Sequence, residues 1–128
     1  MDYTPESRQK VSLVIGASSG IGFATSIELA KRGYLVFAGA RRLEPMAKLR
    51  DNYGVKIFKL DVTNSSSVKD AKTYIQEETL GNHLDILFNN AGQTCQVPTT
   101  DVTDEQFAQC FKVNVFGAIR VVRELRLF

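Results

Sequence analysis

Apolar residues gather in four short runs, Val11–Ile15, Leu35–Ala38, Val55–Leu60 and Leu84–Phe88, with segments of helical spacing between them. Such runs, lacking polar alternation, suit strands buried on both faces. After the first run, Ile21, Ala24, Ile27 and Ala30 recur every third residue and predict a buried helix stripe, which Gly33 ends behind Lys31 and Arg32. Before the fourth, Val68, Ala71 and Ile75 share a helix face, with Asn64 and Ser65 as candidate caps and Gly81 as the stop. A last helix beginning near Asp104 carries Phe107, Phe111, Val115, Ala118, Val122 and Leu125 as one stripe. The alternation β-α-β-α-β-α-β predicts an α/β fold: a Rossmann-like parallel sheet of four strands in the order 3-2-1-4, with helices on both faces. Four strands make an incomplete doubly wound fold.

Composition narrows the function classes. A chain of 128 residues, 44% hydrophobic, builds one core and one domain. The net charge of +2, with both signs interspersed, offers nothing to hold a nucleic acid, so a small molecule is the expected partner. Met1 to Lys10 has no signal-type apolar run, and no segment approaches the roughly 20 apolar residues of a membrane span. Two cysteines, Cys95 and Cys110, fit reduced thiols of an intracellular protein. The single histidine, His83, reads as a turn residue, and no metal site is expected.

The chemistry is concentrated at two junctions. Gly16-Ala17-Ser18-Ser19-Gly20-Ile21-Gly22 joins the first run to the first helix. Glycines there allow a tight turn and a close approach of backbone N–H groups to an anion, and the helix N-terminus adds a favourable dipole. The gaps between the glycines reverse those of G-x-G-x-x-G, and an ordinary Gly/Ser turn has the same composition. Asn89-Asn90-Ala91-Gly92 follows the fourth run, where a doubly wound sheet opens its crevice. Small residues let a flat ligand pass there, and the amides can bridge strands or meet a ribose hydroxyl.

Together the two motifs resemble the classical short-chain dehydrogenase/reductase family, whose signature is a T-G-x-x-x-G-x-G loop followed by N-N-A-G. The resemblance covers nearly the whole chain and implies that residues 1–128 form the NADP-binding, N-terminal part of such a protein. It implies cofactor contacts from Gly16, Ser18, Ser19, Gly20, Ile21, Gly22, Asn89, Asn90, Ala91 and Gly92, and an adenine contact from Asp61 and Val62. It also implies that Asn114 serves catalysis by holding a water of a proton relay. Taken alone, Asp61 is equally a turn residue and Asn114 a polar interruption of a helix. One position departs from the family pattern: Ile15 stands where its threonine would be.

After the second run, Gly39-Ala40-Arg41-Arg42 lacks the carboxylate that holds the ribose 2′-hydroxyl of NAD. Two guanidiniums instead suit a 2′-phosphate, which points to NADP as cofactor, with Arg41 the stronger candidate and Arg42 equally a solvated turn residue.

Three strings, Arg41 to Met46, Asn89 to Cys95 and Cys110 to Gly117, are similar to the fungal acyl-dihydroxyacetone-phosphate reductase branch of the family. That similarity implies NADPH-dependent reduction of a lipid-type ketone, acyl-dihydroxyacetone phosphate, to a lysophosphatidic acid. It implies a place at the membrane surface, on the cytoplasmic face of the endoplasmic reticulum or a lipid droplet. Gln93 to Pro98 would line the cleft, with Cys95 touching substrate or merely filling space, and the helix containing Asn114 would pair in a homo-oligomer. The family's Y-x-x-x-K pair is missing: Tyr3, Tyr34, Tyr53 and Tyr74 are followed four residues later by Ser7, Ala38, Ile57 and Glu78. The expectation is that the catalytic half lies beyond Phe128 and that the 128 residues alone are inactive and marginally stable. The alternative is a protein that binds nucleotide without turning it over.

Overall fold

β1 (Val11–Ile15) lies at the centre of a parallel sheet in the computed structural model, which describes residues 8–81, 83–94 and 96–126. β2 (Leu35–Ala40) and β4 (Ile86–Asn89) flank it, and β3 (Lys56–Lys59) lies outside β2, giving the order β3-β2-β1-β4 that the pattern predicts. Every residue of β1 is buried, as a central strand of a sheet covered on both faces requires. In register, Ile15 lies level with Gly39 on one side and Asn89 on the other, so the carboxyl ends of three strands open at one place. The strand boundaries differ slightly from the apolar runs. β2 continues to Ala40, β3 loses Val55 and Leu60 from its ends, and Asn89 closes β4. Asp85, just before β4, is tied to the start of β1: its Oδ2 accepts from Val11 N at 2.8 Å and from Arg8 Nη1 at 3.0 Å, and its Oδ1 accepts from Arg8 Nη2 at 2.6 Å.

α1 (Gly20–Lys31) and α2 (Ala47–Tyr53), the latter entered through a 3₁₀ turn at Glu44–Met46, cover one face of the sheet. Val14, Val36, Ala38, Met46, Leu49 and Val55 are buried there, with Phe23 and Ile27 packed against them. α3 (Ser65–Thr79) and α5 (Ala118–Leu125) cover the other face, where Leu13, Ile15, Phe37, Leu60 and Val62 meet Val68, Ala71, Ile75, Val121 and Leu125. α4 (Asp104–Phe111) leads into α5 through a π-helical segment, Lys112–Gly117.

The α3 reading holds. Val68, Ala71 and Ile75 are buried, and Asn64 caps the helix by accepting from Ser67 N at 3.2 Å. The α1 reading holds in its second half: Ile27 and Ala30 pack against the core, while Ile21 is 70% exposed and Ala24 is exposed, and the fully buried residues are Gly22 and Ser26. A period of three drifts around a helix of about 3.6 residues per turn, so the stripe meets the packed face over only part of its length. Small residues hold that face because α1 runs close to the loop before it: a Cβ on Gly22 would collide with the Gly16 carbonyl oxygen. The α4–α5 stripe also divides. Phe107, Phe111, Val115 and Val122 are exposed and Leu125 alone of the stripe is buried; the packed face runs instead through Val113, Gly117, Val121 and Leu125, four residues apart, while α4 buries none of its residues.

Candidate functional site

A cleft of about 200 Å³ opens above the carboxyl ends of β1, β2 and β4. Its wall contains Gly16, Ser18, Arg41, Asp61, Val62, Ala91 and Gly92 from the sequence-derived set, joined by Ile15, Ala40, Leu60, Thr63, Gln109 and Val113. Four connections, one after each strand, and the helix carrying Gln109 and Val113 therefore meet at one place, where doubly wound sheets open their crevice.

The glycine loop is shaped by two contacts. Gly16 N and Ala17 N both donate to Gly39 O, at 2.9 and 3.3 Å, which turns the chain sharply off β1. Gly16 has φ +76°, and a Cβ there would lie 2.8 Å from Asn90 O. Only glycine fits such a position. At the start of α1, Ser19 is the N-cap but its side chain makes no capping hydrogen bond, and the first turn holds no acidic residue. The amides of the first turn of a helix lack intrahelical partners and carry its positive dipole end, so this terminus is chemically suited to an anion. Ser19, Gly20 and Ile21 are exposed at that terminus, while Gly22 is buried beneath it.

Opposite the loop, Arg41 follows β2 directly and reaches the cleft wall, whereas Arg42 does not. Neither makes a hydrogen bond or ion pair with any described residue. At the end of β3 the corner Asp61–Asn64 is tightly bonded. Asp61 Oδ1 accepts from Thr63 Oγ1 at 2.7 Å and from Thr63 N at 3.0 Å, and Asp61 N donates to Ser67 Oγ at 2.9 Å. The Thr63 hydroxyl holds the Asp61 carboxyl below the usual carboxylate range; partial burial opposes this, and Thr63 N–H and the charges of Arg41 and Arg120 reinforce it.

Asn89, Asn90 and Asn114 do not line the cleft; each braces it. Asn89 Nδ2 donates to Ala118 O at 3.0 Å, and Asn90 Nδ2 donates to Gly16 O at 3.3 Å. Asn114 sits in the π segment and exchanges two bonds with Gln93, accepting from its N at 2.7 Å and donating to its O at 2.8 Å. Cys95 lies outside the described residues, and His83 is exposed in the connection leading to β4. The sequence reading missed Thr63, Gln109, Val113 and Arg120. Asp61-x-Thr63 was available as an Asx-turn signal and Gln109 with Val113 as an i, i+4 pair. Arg120, whose Nη1 donates to Val62 O at 2.6 Å, has no local signal because its partner is 58 residues away.

The family model described as short chain dehydrogenase matches residues 10–127. The chain belongs to this family. Among curated short-chain dehydrogenases it is 46% identical over 123 residues to the NADPH-dependent 1-acyldihydroxyacetone phosphate reductase of Saccharomyces cerevisiae, covering 94% of this chain and 41% of that protein. The protein of the same name in Schizosaccharomyces pombe is 36% identical, over 88% of this chain and 38% of that one. The chain thus spans less than half the length of these relatives. Two solved structures superpose closely. Actinorhodin polyketide ketoreductase F189W with NADPH gives a TM-score of 0.83 at 29% identity, covering 91% of this chain and 46% of that one. An alcohol dehydrogenase of Thermococcus sibiricus complexed with 5-hydroxy-NADP gives 0.82 at 30% identity, covering 93% and 52%.

Proposed function

We propose that the cleft takes NADPH, and that residues 1–128 are the nucleotide-binding part of a reductase acting on a lipid-type ketone, acyl-dihydroxyacetone phosphate, to give a lysophosphatidic acid. The observation that carries this reading is a glycine loop whose Gly16 and Ser18 line the same cleft as Arg41 and which leads into a helix N-terminus without a side-chain cap; Ser19, Gly20, Ile21 and Gly22 lie outside the cleft wall. The donor set fits the group: amides for a pyrophosphate, a guanidinium for a 2′-phosphate, and small residues where a Cβ would obstruct. When bound, the nicotinamide would supply a hydride to the ketone carbon. Gly16, Ser18, Ser19, Gly20, Ile21 and Gly22 would seat the pyrophosphate, Arg41 the 2′-phosphate, and Asp61 and Val62 the adenine, with Arg42 outside the cleft. Asn89, Asn90, Ala91 and Gly92 would shape the floor beneath the nicotinamide ribose. Asn114 retains one N–H and one lone pair beyond its bonds to Gln93, enough to hold a water at the substrate end.

The names of the yeast relatives and the NADP-type ligands of the structural neighbours support the cofactor and the substrate class. A membrane-surface location, at the endoplasmic reticulum or lipid droplets, is part of the same proposal; no helix among the described residues is long and apolar enough to cross a membrane. Exposed Phe107, Phe116, Ile119 and Val122 support a homo-oligomer through the helix containing Asn114. A second reading, nucleotide binding without turnover by this polypeptide, rests on the missing Y-x-x-x-K pair. Fluorescence titration with NADPH and NADH tests the site, tighter binding of NADPH being expected and equal binding overturning the Arg41 assignment. Oxidation of NADPH on adding acyl-dihydroxyacetone phosphate separates the two readings.

A further inference from the structure

Arg120 lies on α5, away from the glycine loop and absent from the cleft wall, yet its Nη1 reaches the Val62 carbonyl at 2.6 Å. The peptide unit it meets is committed at both ends. Val62 O accepts from Arg120, and the N–H of the same unit, on Thr63, donates to Asp61 Oδ1 at 3.0 Å. A peptide group is planar, so holding its oxygen and its hydrogen fixes the orientation of the whole unit. The helix can make this bond only because it approaches closely. A Cβ on Gly117 would lie 2.6 Å from Val62 Cγ2, so glycine at 117 lets the turn before Arg120 rest on Val62. Arg120 Nε is buried and has no hydrogen-bond partner among the described residues, so the guanidinium is kept in place by its single carbonyl bond and by the charge of Asp61.

We propose that Arg120 is a positioning residue for nucleotide binding: it orients the Val62–Thr63 peptide and thereby sets the adenine-side wall of the cleft. The proposal rests on the cofactor reading above. It couples the helix that carries Asn114 to the corner that meets the adenosine, through one bond between residues 58 apart in sequence.

The test is Arg120→Met in the full chain, read by fluorescence titration with NADPH and by calorimetric titration with 2′,5′-ADP, which is the adenosine half alone, the calorimetric stoichiometry giving the binding-competent fraction. The expected result is a rise of about three- to tenfold in Kd for both ligands, the effect of one net hydrogen bond, with the stoichiometry held. Arg120→Lys, which keeps a charged donor of similar reach, should recover most of the affinity. A merely structural role would instead lower the folded fraction, and with it the stoichiometry, without changing Kd in the folded molecules. An unchanged Kd for 2′,5′-ADP in the folded variant overturns the proposal. Should the methionine variant fail to fold, Arg120→Gln, with an amide donor on a shorter arm, carries the same readout: a raised Kd with the stoichiometry held supports the proposal and an unchanged Kd overturns it. Failure of the unsubstituted chain to bind NADPH defeats the cofactor reading itself, whereas binding untouched at position 120 defeats only the inference.

Discussion

Asn114 and Gln93 exchange two hydrogen bonds, side-chain oxygen from backbone N–H and side-chain amide to backbone oxygen, at 2.7 and 2.8 Å. The asparagine of the π segment thereby acts as a bracket for the loop that leaves Gly92. Each such bond contributes about 0.5–1.5 kcal/mol net, less where water competes, as it does here. Asn114→Ala should therefore speed amide hydrogen exchange at Gln93 and its neighbours. Asn114→Asp should do more, because a carboxylate placed against the Gln93 carbonyl turns one of the two bonds into a repulsion. Unchanged exchange at Gln93 in both variants would show that the bracket does not hold the loop.

Gly22→Ala is expected to cost about 1–3 kcal/mol by overpacking, since the added methyl meets backbone and not the end of a flexible side chain. The Gly16 carbonyl must move, and with it the loop. Gly33→Ala offers the control, because its φ of +87° strains an alanine but nothing lies within 4 Å of the new Cβ. Both variants should show a lower denaturation midpoint, and only Gly22→Ala should also weaken NADPH in a fluorescence titration.

Arg41→Ala should remove the preference for NADPH over NADH, because only Arg41 of the arginine pair reaches the cleft. A hydrogen bond to a charged group contributes about 1.5–3 kcal/mol, so the ratio of the two dissociation constants should fall by about ten- to a hundredfold. Arg42→Ala should leave that ratio within about threefold of its starting value, on the order of 0.6 kcal/mol. Paired Kd measurements with both nucleotides decide it, and a larger effect at Arg42 would reverse the assignment.

Ile75 is fully buried where α3 meets the sheet, so Ile75→Ala leaves a cavity and should cost about 2–5 kcal/mol. Urea denaturation measures this directly. A loss under about 1 kcal/mol would mean that α3 collapses onto the space, which its neighbours Val68 and Ala71 do not suggest.

The Arg8 guanidinium holds the Asp85 carboxyl below the usual carboxylate range; burial opposes it, and the Val11 N–H and the charges of Arg8 and Lys10 add to it. A carboxyl with a depressed folded pKa contributes stability that is fully present above its unfolded value, about 4, and is lost as pH falls through the folded value. Asp85→Asn should therefore lower the denaturation midpoint at neutral pH and leave a shallower acid limb. The gap between the two proteins should narrow as the pH drops below about 4. A constant gap across that range would mean that the charge of Asp85 plays no part.

Sheet order, the α3 face and the glycine loop were legible because each is local: a run, a period, or a cluster of glycines announces itself within a few residues. The face of α1 was legible only at Ile27 and Ala30, since a spacing of three imitates a helix period over one turn and departs from it over three. Asn89 read as a loop residue because the apolar run ends at Phe88, yet its pairing with Ile15 extends the strand by one. Asn114 was legible as a site residue only through its motif, and its bond to Gln93 was not. The bond from Arg120 to Val62 had no trace in the sequence at all, because nothing near either residue encodes the other.

The π segment has a consequence for how this helix can vary. Asn114 must meet Gln93 while Val121 and Leu125 must face the sheet, and about 100° of rotation separates each residue from the next. One residue deleted between Lys112 and Gly117 would restore a plain α-helix and swing one half against the other, so either the bracket or the core falls out of alignment. The segment works as a vernier between two surfaces, and length changes there are far less tolerable than changes of side chain.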